Sequence, residues 1–310
     1  MTYLPLLAAL ITTLIIIPFL TKFGIKKGFC DNPEGDKLKI HKIPTPYLGG
    51  VGIFLGFAMG LVFSRLFHQI SGVQATGVII GSIVILFLGF WDDFKWRKLS
   101  SPILKLFCQF LAGAFIVFIL IQIGVNFNFS ISPVIGALIA GFYVIGAMNT
   151  INMQDGLDGL AGGIVSISLI GFIYLSIVSG NTFSLVLALS LLAGILGFLM
   201  YNFKPASIFM GDNGSHFLGF LIAVLAIIFT SHPGYNFKQF IGPILIIGLP
   251  IIDTIWAIIR RIYKGRSPLR GDRSHIYDRL KLSGLTTVQT VFTCYGIQII
   301  IVLVGLIIYL

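Results

Sequence analysis

The chain has 310 residues, 56% of them hydrophobic and only 10% charged, with a formal net charge of +10. Soluble domains carry about 25% charged residues, so a chain this apolar cannot hide its surface in a water-soluble fold and must face lipid. Cys30, Cys108 and Cys294 lie far apart and form no CxxC pair, which argues against a disulfide framework and a zinc site.

Ten stretches are apolar and long enough to cross a bilayer as helices: 4–21, 48–66, 73–91, 102–123, 133–149, 159–179, 183–202, 214–231, 240–260 and 288–309. The first lacks a basic stretch ahead of it and a small-x-small cleavage site, so it reads as a retained helix rather than a signal peptide. Before the second stands His41-Lys-Ile-Pro-Thr45-Pro-Tyr-Leu-Gly49-Gly50. Its prolines stiffen the approach and its glycines permit close backbone packing. Within that second stretch Gly52, Gly56 and Gly60 recur every fourth residue, a seam expected to pack inside the bundle rather than between two copies.

The third stretch ends in Asp92 and Asp93. Adjacent carboxylates at a membrane edge suit a base or a metal ligand, and otherwise a solvated helix end. Lys105 lies about one turn inside the fourth stretch. It either snorkels to the interface or faces a cavity, and its position four residues before Gln109 favours the cavity. After the fifth stretch Asn149, Asn152, Asp155 and Asp158 recur at every third position, which stacks them on one face of a helix. Gly156 and Gly159 permit a ligand to approach the backbone there.

Phe209-Met-Gly-Asp212-Asn-Gly-Ser215 precedes the eighth stretch and reads as a helix start with free amides that attract phosphate, or as an ordinary cap by Asp212 or Ser215. Asp253 lies in the ninth stretch, with Arg260 or Arg261 as a structural partner. Basic residues beside a membrane bind anionic headgroups, which accounts for Arg260, Arg261, Lys264 and Arg266. It accounts poorly for the mixture Arg273, His275, Asp278 and Arg279 that follows.

With the N-terminus outside, alternation puts 22–47, 92–105, 150–158, 203–213 and 260–287 on the inner side. These segments hold 19 of the 21 Lys and Arg residues, leaving only Arg65 and Lys238 outside. They also hold ten of the eleven acids. Acids do not set topology, so one crowded inner face marks a site. The expectation is an all-α polytopic bundle of about ten transmembrane helices forming a single domain over 1–310, both termini outside and the active site cytoplasmic.

The pieces HKIPTPYLGG, GFWDDFKWRKLSSPILKLFCQ, NTINMQDGLDGLAGG, FMGDNGS and GDRSHIYDRL, in this order, resemble the polyprenyl-phosphate N-acetylhexosamine-1-phosphate transferases of glycosyltransferase family 4. The short inner loops look more like the UDP-GlcNAc branch than the muramyl-pentapeptide branch. The resemblance implies a multi-pass enzyme of the bacterial inner membrane that acts on a UDP-N-acetylhexosamine and undecaprenyl phosphate, releases UMP, and depends on Mg²⁺ or Mn²⁺. No nucleic acid partner is expected, and a homodimer is left open.

By the same resemblance Asp92 and Asp93 are the paired acids and Asp212 binds the metal with Asn152 or Asp155. Asp155 and Asp158 shape the nucleotide site, and Asn149 contributes to substrate binding. Lys98 and Lys105 meet phosphates, His41 and Thr45 contribute to substrate binding, and His275, Arg273 and Arg279 lie in the loop that recognises sugar and pyrophosphate. The chemistry agrees: cations must neutralise a pyrophosphate as its bond breaks, and the lipid phosphate must lose any proton, by Asp92 or Asp93. An acid attacking first, through a covalent intermediate, is the other route. Many O-antigen-type members carry HxHH where this chain has His275-Ile276-Tyr277-Asp278, which makes Tyr277 a candidate for sugar specificity.

Other activities are a UDP-MurNAc-pentapeptide phosphotransferase, a CDP-alcohol phosphotransferase and an ion-coupled transporter. The DG-x2-AR-like pattern of the second is absent. A transporter would place its acids near the midplane, often in repeats, and here they cluster at one face.

Overall fold

The apolar stretches of the sequence all fold as helices. In this computed structural model residues 4–33, 43–96, 102–125, 133–230, 237–267 and 274–310 are described. Helix α1 spans Leu4–Lys27, α2 Gly49–Leu66, α3 Gly72–Trp91, α4 Pro102–Gln122, α5 Pro133–Gln154 and α6 Leu160–Val178. They are followed by α7 Thr182–Asn202, α8 Gly211–Thr230, α9 Phe237–Ile247, α10 Leu249–Tyr263, α11 Ile276–Leu282 and α12 Thr287–Tyr309. Two short strands, β1 (Cys30–Asp31) and β2 (Thr45–Pro46), pair antiparallel, Cys30 opposite Pro46 and Asp31 opposite Thr45.

Among the described residues eight helices are long and apolar enough to cross a membrane, and nine if the bent pair α9–α10 is one span. The remaining expected span is α4, of which Phe107–Gln122 qualifies as a shorter apolar helix. The expected ninth stretch, 240–260, differs: it breaks into α9 and α10 with a bend of 87°. Gly248 sits at the break with φ of +36°, and Pro250 follows in the first turn of α10, where a missing N–H does no harm.

Helix α8 is the hub. It packs against α2, α3, α5, α6, α7 and α9, and 94% of its most apolar window is buried. A helix apolar all round belongs in that position. By contrast α1 turns Ile11, Ile15 and Phe19 outward, an apolar face suited to lipid. The glycine seam of α2 packs inside the bundle as expected. A methyl group at Gly56 would collide with the hydroxyl of Thr13 on α1, and one at Gly60 with Ser190 on α7.

Helix starts follow local chemistry. Ser71 and Gln74 form a reciprocal capping pair at α3, and Thr286 and Gln289 another at α12. Helix α3 does not stop at its acids: residues Asp92–Trp96 continue as one π-helical turn, a widening often found at functional positions.

Candidate active site

Two glycines bring the site together. A Cβ at Gly50 would fall 2.2 Å from Gly214 Cα, and one at Gly89 would fall 2.5 Å from the Asp212 carbonyl oxygen. The start of α2 and the end of α3 can therefore both touch the first turn of α8. That turn begins with Asp212 and Asn213, whose backbone amides have no partner within the helix.

Asp93 supplies it. Its Oδ1 accepts the Asp212 backbone N–H at 3.1 Å. Its Oδ2 accepts the Asn213 backbone N–H at 3.2 Å and the Asn213 side-chain Nδ2–H at 2.9 Å. Asn213 also donates to the Tyr47 carbonyl at 2.9 Å, tying in the segment before α2. Asp93, 119 residues away, therefore takes the Asp212 and Asn213 amides, which are not left free to attract phosphate as the local pattern suggested, and the cap comes from neither Asp212 nor Ser215.

Asp92, the preceding residue, is 6% exposed and forms an ion pair with Lys105 on α4. Asp212 is its close acidic neighbour. Lys105 therefore faces the site. Asn152, on the last turn of α5, donates Nδ2–H to Asp212 Oδ1 at 2.7 Å and to Ser215 Oγ at 2.9 Å. Its side-chain oxygen is left free of that contact.

Helix α5 ends at Gln154, so Asp155 and Asp158 lie in the following turn and do not continue the face of Asn149 and Asn152. Asp155 is held above the usual carboxylate range, chiefly by burial and then by the charges of Asp212, Asp93 and Asp158. Asp158 has a structural tie: its Oδ2 accepts the Ala206 backbone N–H at 3.2 Å. Asn149 points to Gln109, which accepts its Nδ2–H at 2.9 Å, so it joins α4 to α5 at the edge of the site.

On the far side α10 and α11 converge. Asp253 accepts His275 Nδ1 at 2.8 Å, the Ile276 backbone N–H at 3.0 Å and Gln154 Nε2–H at 2.7 Å. This corrects the expected pairing with Arg260 or Arg261; Arg260 donates to the Ser274 carbonyl at 2.9 Å. The Tyr277 ring stacks on His275, centroids 5.8 Å apart and 9° from parallel. A Cβ at Gly156 would fall 2.3 Å from the Tyr277 hydroxyl, so that glycine makes room for a side chain of this protein.

Arg279 is exposed on α11. Thr45 is buried in β2, its hydroxyl donating to the Ile43 carbonyl at 3.1 Å. His41, Lys98 and Arg273 lie outside the described residues.

Four contributors escape the sequence reading: Asn213, Gln154, Gln109 as partner of Asn149, and His216. His216 lies one turn beyond Asp212 on α8, fully buried, with neither ring nitrogen hydrogen-bonded among the described residues. Its i,i+4 spacing from Asp212 was readable; its burial was not.

Among the described residues no group of three or more His, Cys, Asp and Glu side chains forms a ready metal cage. The donor set is of another kind. Asp92 and Asp212 bring two carboxylates close together in a buried place, beside Lys105 and the Asn152 amide, whose N–H groups donate to Asp212 and Ser215. Like charges so placed call for a cation or a shared proton. Mg²⁺ typically takes one or two carboxylates and completes its shell with water and substrate phosphate, so the set fits it.

The family model of glycosyl transferase family 4 matches residues 75–230, which include every acid of this cluster. The chain is 34% identical to the probable undecaprenyl-phosphate N-acetylglucosaminyl 1-phosphate transferase of Bacillus subtilis, over 95% of this chain and 81% of the relative. It is 33% identical to the phospho-N-acetylmuramoyl-pentapeptide-transferase of Streptococcus thermophilus, over 71% of this chain and 70% of the relative. It is 31% identical to that of Lacticaseibacillus paracasei, over 96% and 95%.

Proposed function

Because the chain belongs to glycosyl transferase family 4, we propose that it transfers an N-acetylhexosamine 1-phosphate, GlcNAc 1-phosphate in the first instance, from a UDP-sugar to undecaprenyl phosphate. UMP is the leaving group, and the reaction is the first membrane step of a cell-envelope polysaccharide. The observation that carries this reading is the junction of α3, α4, α5 and α8, where Asp92, Asp212, Lys105 and Asn152 meet. A pyrophosphate needs such a place, with cations to hold it and an acid to take a proton.

An oxygen of the lipid phosphate attacks the sugar-bearing phosphorus of the UDP-sugar. The bond from that phosphorus to the bridging oxygen breaks, and its electron pair leaves with UMP. The three N–H donors on Asp93 commit it to holding the start of α8. That leaves Asp92 as the base for a protonated lipid phosphate. Lys105, ion-paired with Asp92, offers its charge to the pyrophosphate. Asp212, with Asn152 or Asp155, would hold Mg²⁺, which neutralises charge that develops on the leaving phosphate. The topology belongs to the same reading: bacterial inner membrane, ten spans, both termini outside and this end of the bundle in the cytoplasm.

The test uses the purified protein with UDP-GlcNAc, undecaprenyl phosphate and Mg²⁺. UMP release that requires the lipid and disappears with chelator is the expected result; no UMP from any UDP-HexNAc would sink the reading. A UDP-MurNAc-pentapeptide donor is the second reading, supported by the relatives that bear that name. The same assay separates the two donors.

A further inference from the structure

Asp253 has none of its surface exposed, although it is a carboxylate within α10, a helix with a strongly apolar outer face. Burying a charge is costly unless donors satisfy it. Three do, and they come from two other parts of the fold. Gln154 Nε2–H, at the end of α5, reaches Oδ2 at 2.7 Å. His275 Nδ1 reaches the same Oδ2 at 2.8 Å. The Ile276 backbone N–H, at the start of α11, reaches Oδ1 at 3.0 Å. None of the three is a lysine or arginine.

The His275 ring is fixed in two further ways. It is 5% exposed, and Tyr277 lies parallel to it at 5.8 Å. Its second nitrogen, Nε2, makes no hydrogen bond among the described residues and is not enclosed as a stranded buried atom. A carboxylate at Nδ1 decides which nitrogen carries the proton of a neutral imidazole, since a carboxylate only accepts. The pattern is that of a residue that orients a working histidine from behind.

We propose that Asp253 is the positioning residue of His275: it pins the ring proton on Nδ1 and leaves Nε2 as the atom that meets the UDP-sugar. The inference rests on the proposed transfer from a UDP-N-acetylhexosamine and adds the atom of His275 that takes part. Asp253 acts through His275 and touches no substrate. Gln154 shares its oxygen and links this support to the turn that carries Asp155.

The experiment has one arm that needs no activity. In protein labelled with ¹⁵N-histidine at alkaline pH, the His275 ring is identified by its loss in His275→Gln. Wild type should carry the proton on Nδ1, and Asp253→Asn should move it to Nε2, because an amide can donate to Nδ1. In the activity arm Asp253→Asn should lower kcat/KM for UDP-GlcNAc by about 10–100-fold, the range for loss of such orienting partners. Asp253→Glu, which keeps the carboxylate, should recover part of it. Placed in His275→Gln, Asp253→Asn should cost nothing further, since the two residues act as one unit. Thermal unfolding of each variant separates these effects from loss of fold.

An unmoved proton in Asp253→Asn, or an equal loss in the wild-type and His275→Gln backgrounds, would overturn the proposal. Absence of turnover by the wild-type protein would strike the proposed function instead, and the ring measurement would still decide whether Asp253 holds His275.

Discussion

Asp93 grips Asn213 twice, through the backbone N–H at 3.2 Å and the side-chain Nδ2–H at 2.9 Å. With the Asp212 amide it closes the start of the central helix from outside that helix. Its neighbour Asp92 makes none of these contacts and pairs with Lys105. One acidic pair therefore divides: Asp93 holds the helix start, and Asp92, proposed above as the base, pairs with Lys105.

The division can be measured. Asp93→Asn exchanges an acceptor-only group for one with a single accepting oxygen, and capping losses of this kind cost about 0.5–2 kcal/mol. Its melting temperature should fall, and activity should fall with it. Asp92→Asn should melt near wild type and release almost no UMP. An Asp93→Asn protein that is as stable as wild type yet inactive would make Asp93 the reactive acid and sink the assignment.

Lys105 is the cation for which the sequence favoured a cavity position over a snorkelling one. The structure pairs it with Asp92, on the side of the acid cluster. Lys105→Met removes charge from a site where water is partly excluded and Coulomb interactions are larger. The loss of one such contact costs about 10²–10³ in kcat. A Lys105→Met enzyme that keeps most of its turnover would contradict this, whatever its stability.

Asp155 gives a pH dependence with a definite sign. Burial and three neighbouring acids raise its folded pKa above the unfolded value near 3.9. The folded chain then binds its proton more tightly than the unfolded chain does. Its favourable contribution is full below about pH 4 and is lost as pH rises through the folded pKa. In metal-free protein Asp155→Asn should therefore raise the melting temperature at neutral pH and change it little near pH 4. Equal melting of the two proteins at both pH values would refute the electrostatic strain assigned to this turn.

The break between α9 and α10 is held by Gln298 of α12. Its Nε2–H groups reach the Ile246 carbonyl at 2.9 Å and Ser168 Oγ at 2.8 Å, and its Oε1 accepts the Leu249 N–H at 2.9 Å. A broken helix at membrane depth needs these substitutes for its lost backbone bonds. Gln298→Leu strands them, at about 1–3 kcal/mol for each group left unpaired. Thermal unfolding in detergent should register the loss, and an unchanged midpoint would show that the break needs no such staple.

How much of this was legible depended on range. The ten apolar stretches are local signals: nine fold as a helix near their expected bounds, and 240–260 folds as two. Asp92, Asn152, Asp212 and Lys105 were also readable, as polar residues at the ends of apolar runs, and the structure brings them together. The turn after Gln154 was misread because spacing by three suggests a helix, while Gly156 and Gly159 favour a turn there. The break at Gly248 was written in the sequence Gly248-Leu-Pro250, but continuous hydropathy across 240–260 hid it. Asp93 capping Asp212 and Asp253 holding His275 join segments far apart in the chain, and no local period encodes such pairs.

The loop around Tyr277 yields the last expectation. The sequence suggested a specificity surface for sugar, because relatives often carry histidine there. The fold assigns Tyr277 a prior task. Its ring backs His275, and its hydroxyl fills the space over Gly156, in the turn between Asp155 and Asp158. Gly156→Ala puts a methyl group 2.3 Å from that hydroxyl and 2.6 Å from Cζ, closer than real contacts allow. Something must shift, and the ring and the turn both carry residues assigned to substrate. Gly156→Ala should therefore lose about 10²-fold in kcat/KM, the scale of a displacement near 1 Å of positioned groups. Tyr277→Leu should lose less, since it removes the ring support of His275 but leaves Asp253 in place. The double variant should be more active than Gly156→Ala alone, because the shorter side chain vacates the space that the methyl group needs. A double variant no better than Gly156→Ala would mean that the methyl group harms the turn itself, and that Tyr277 and Gly156 are neighbours without a shared function.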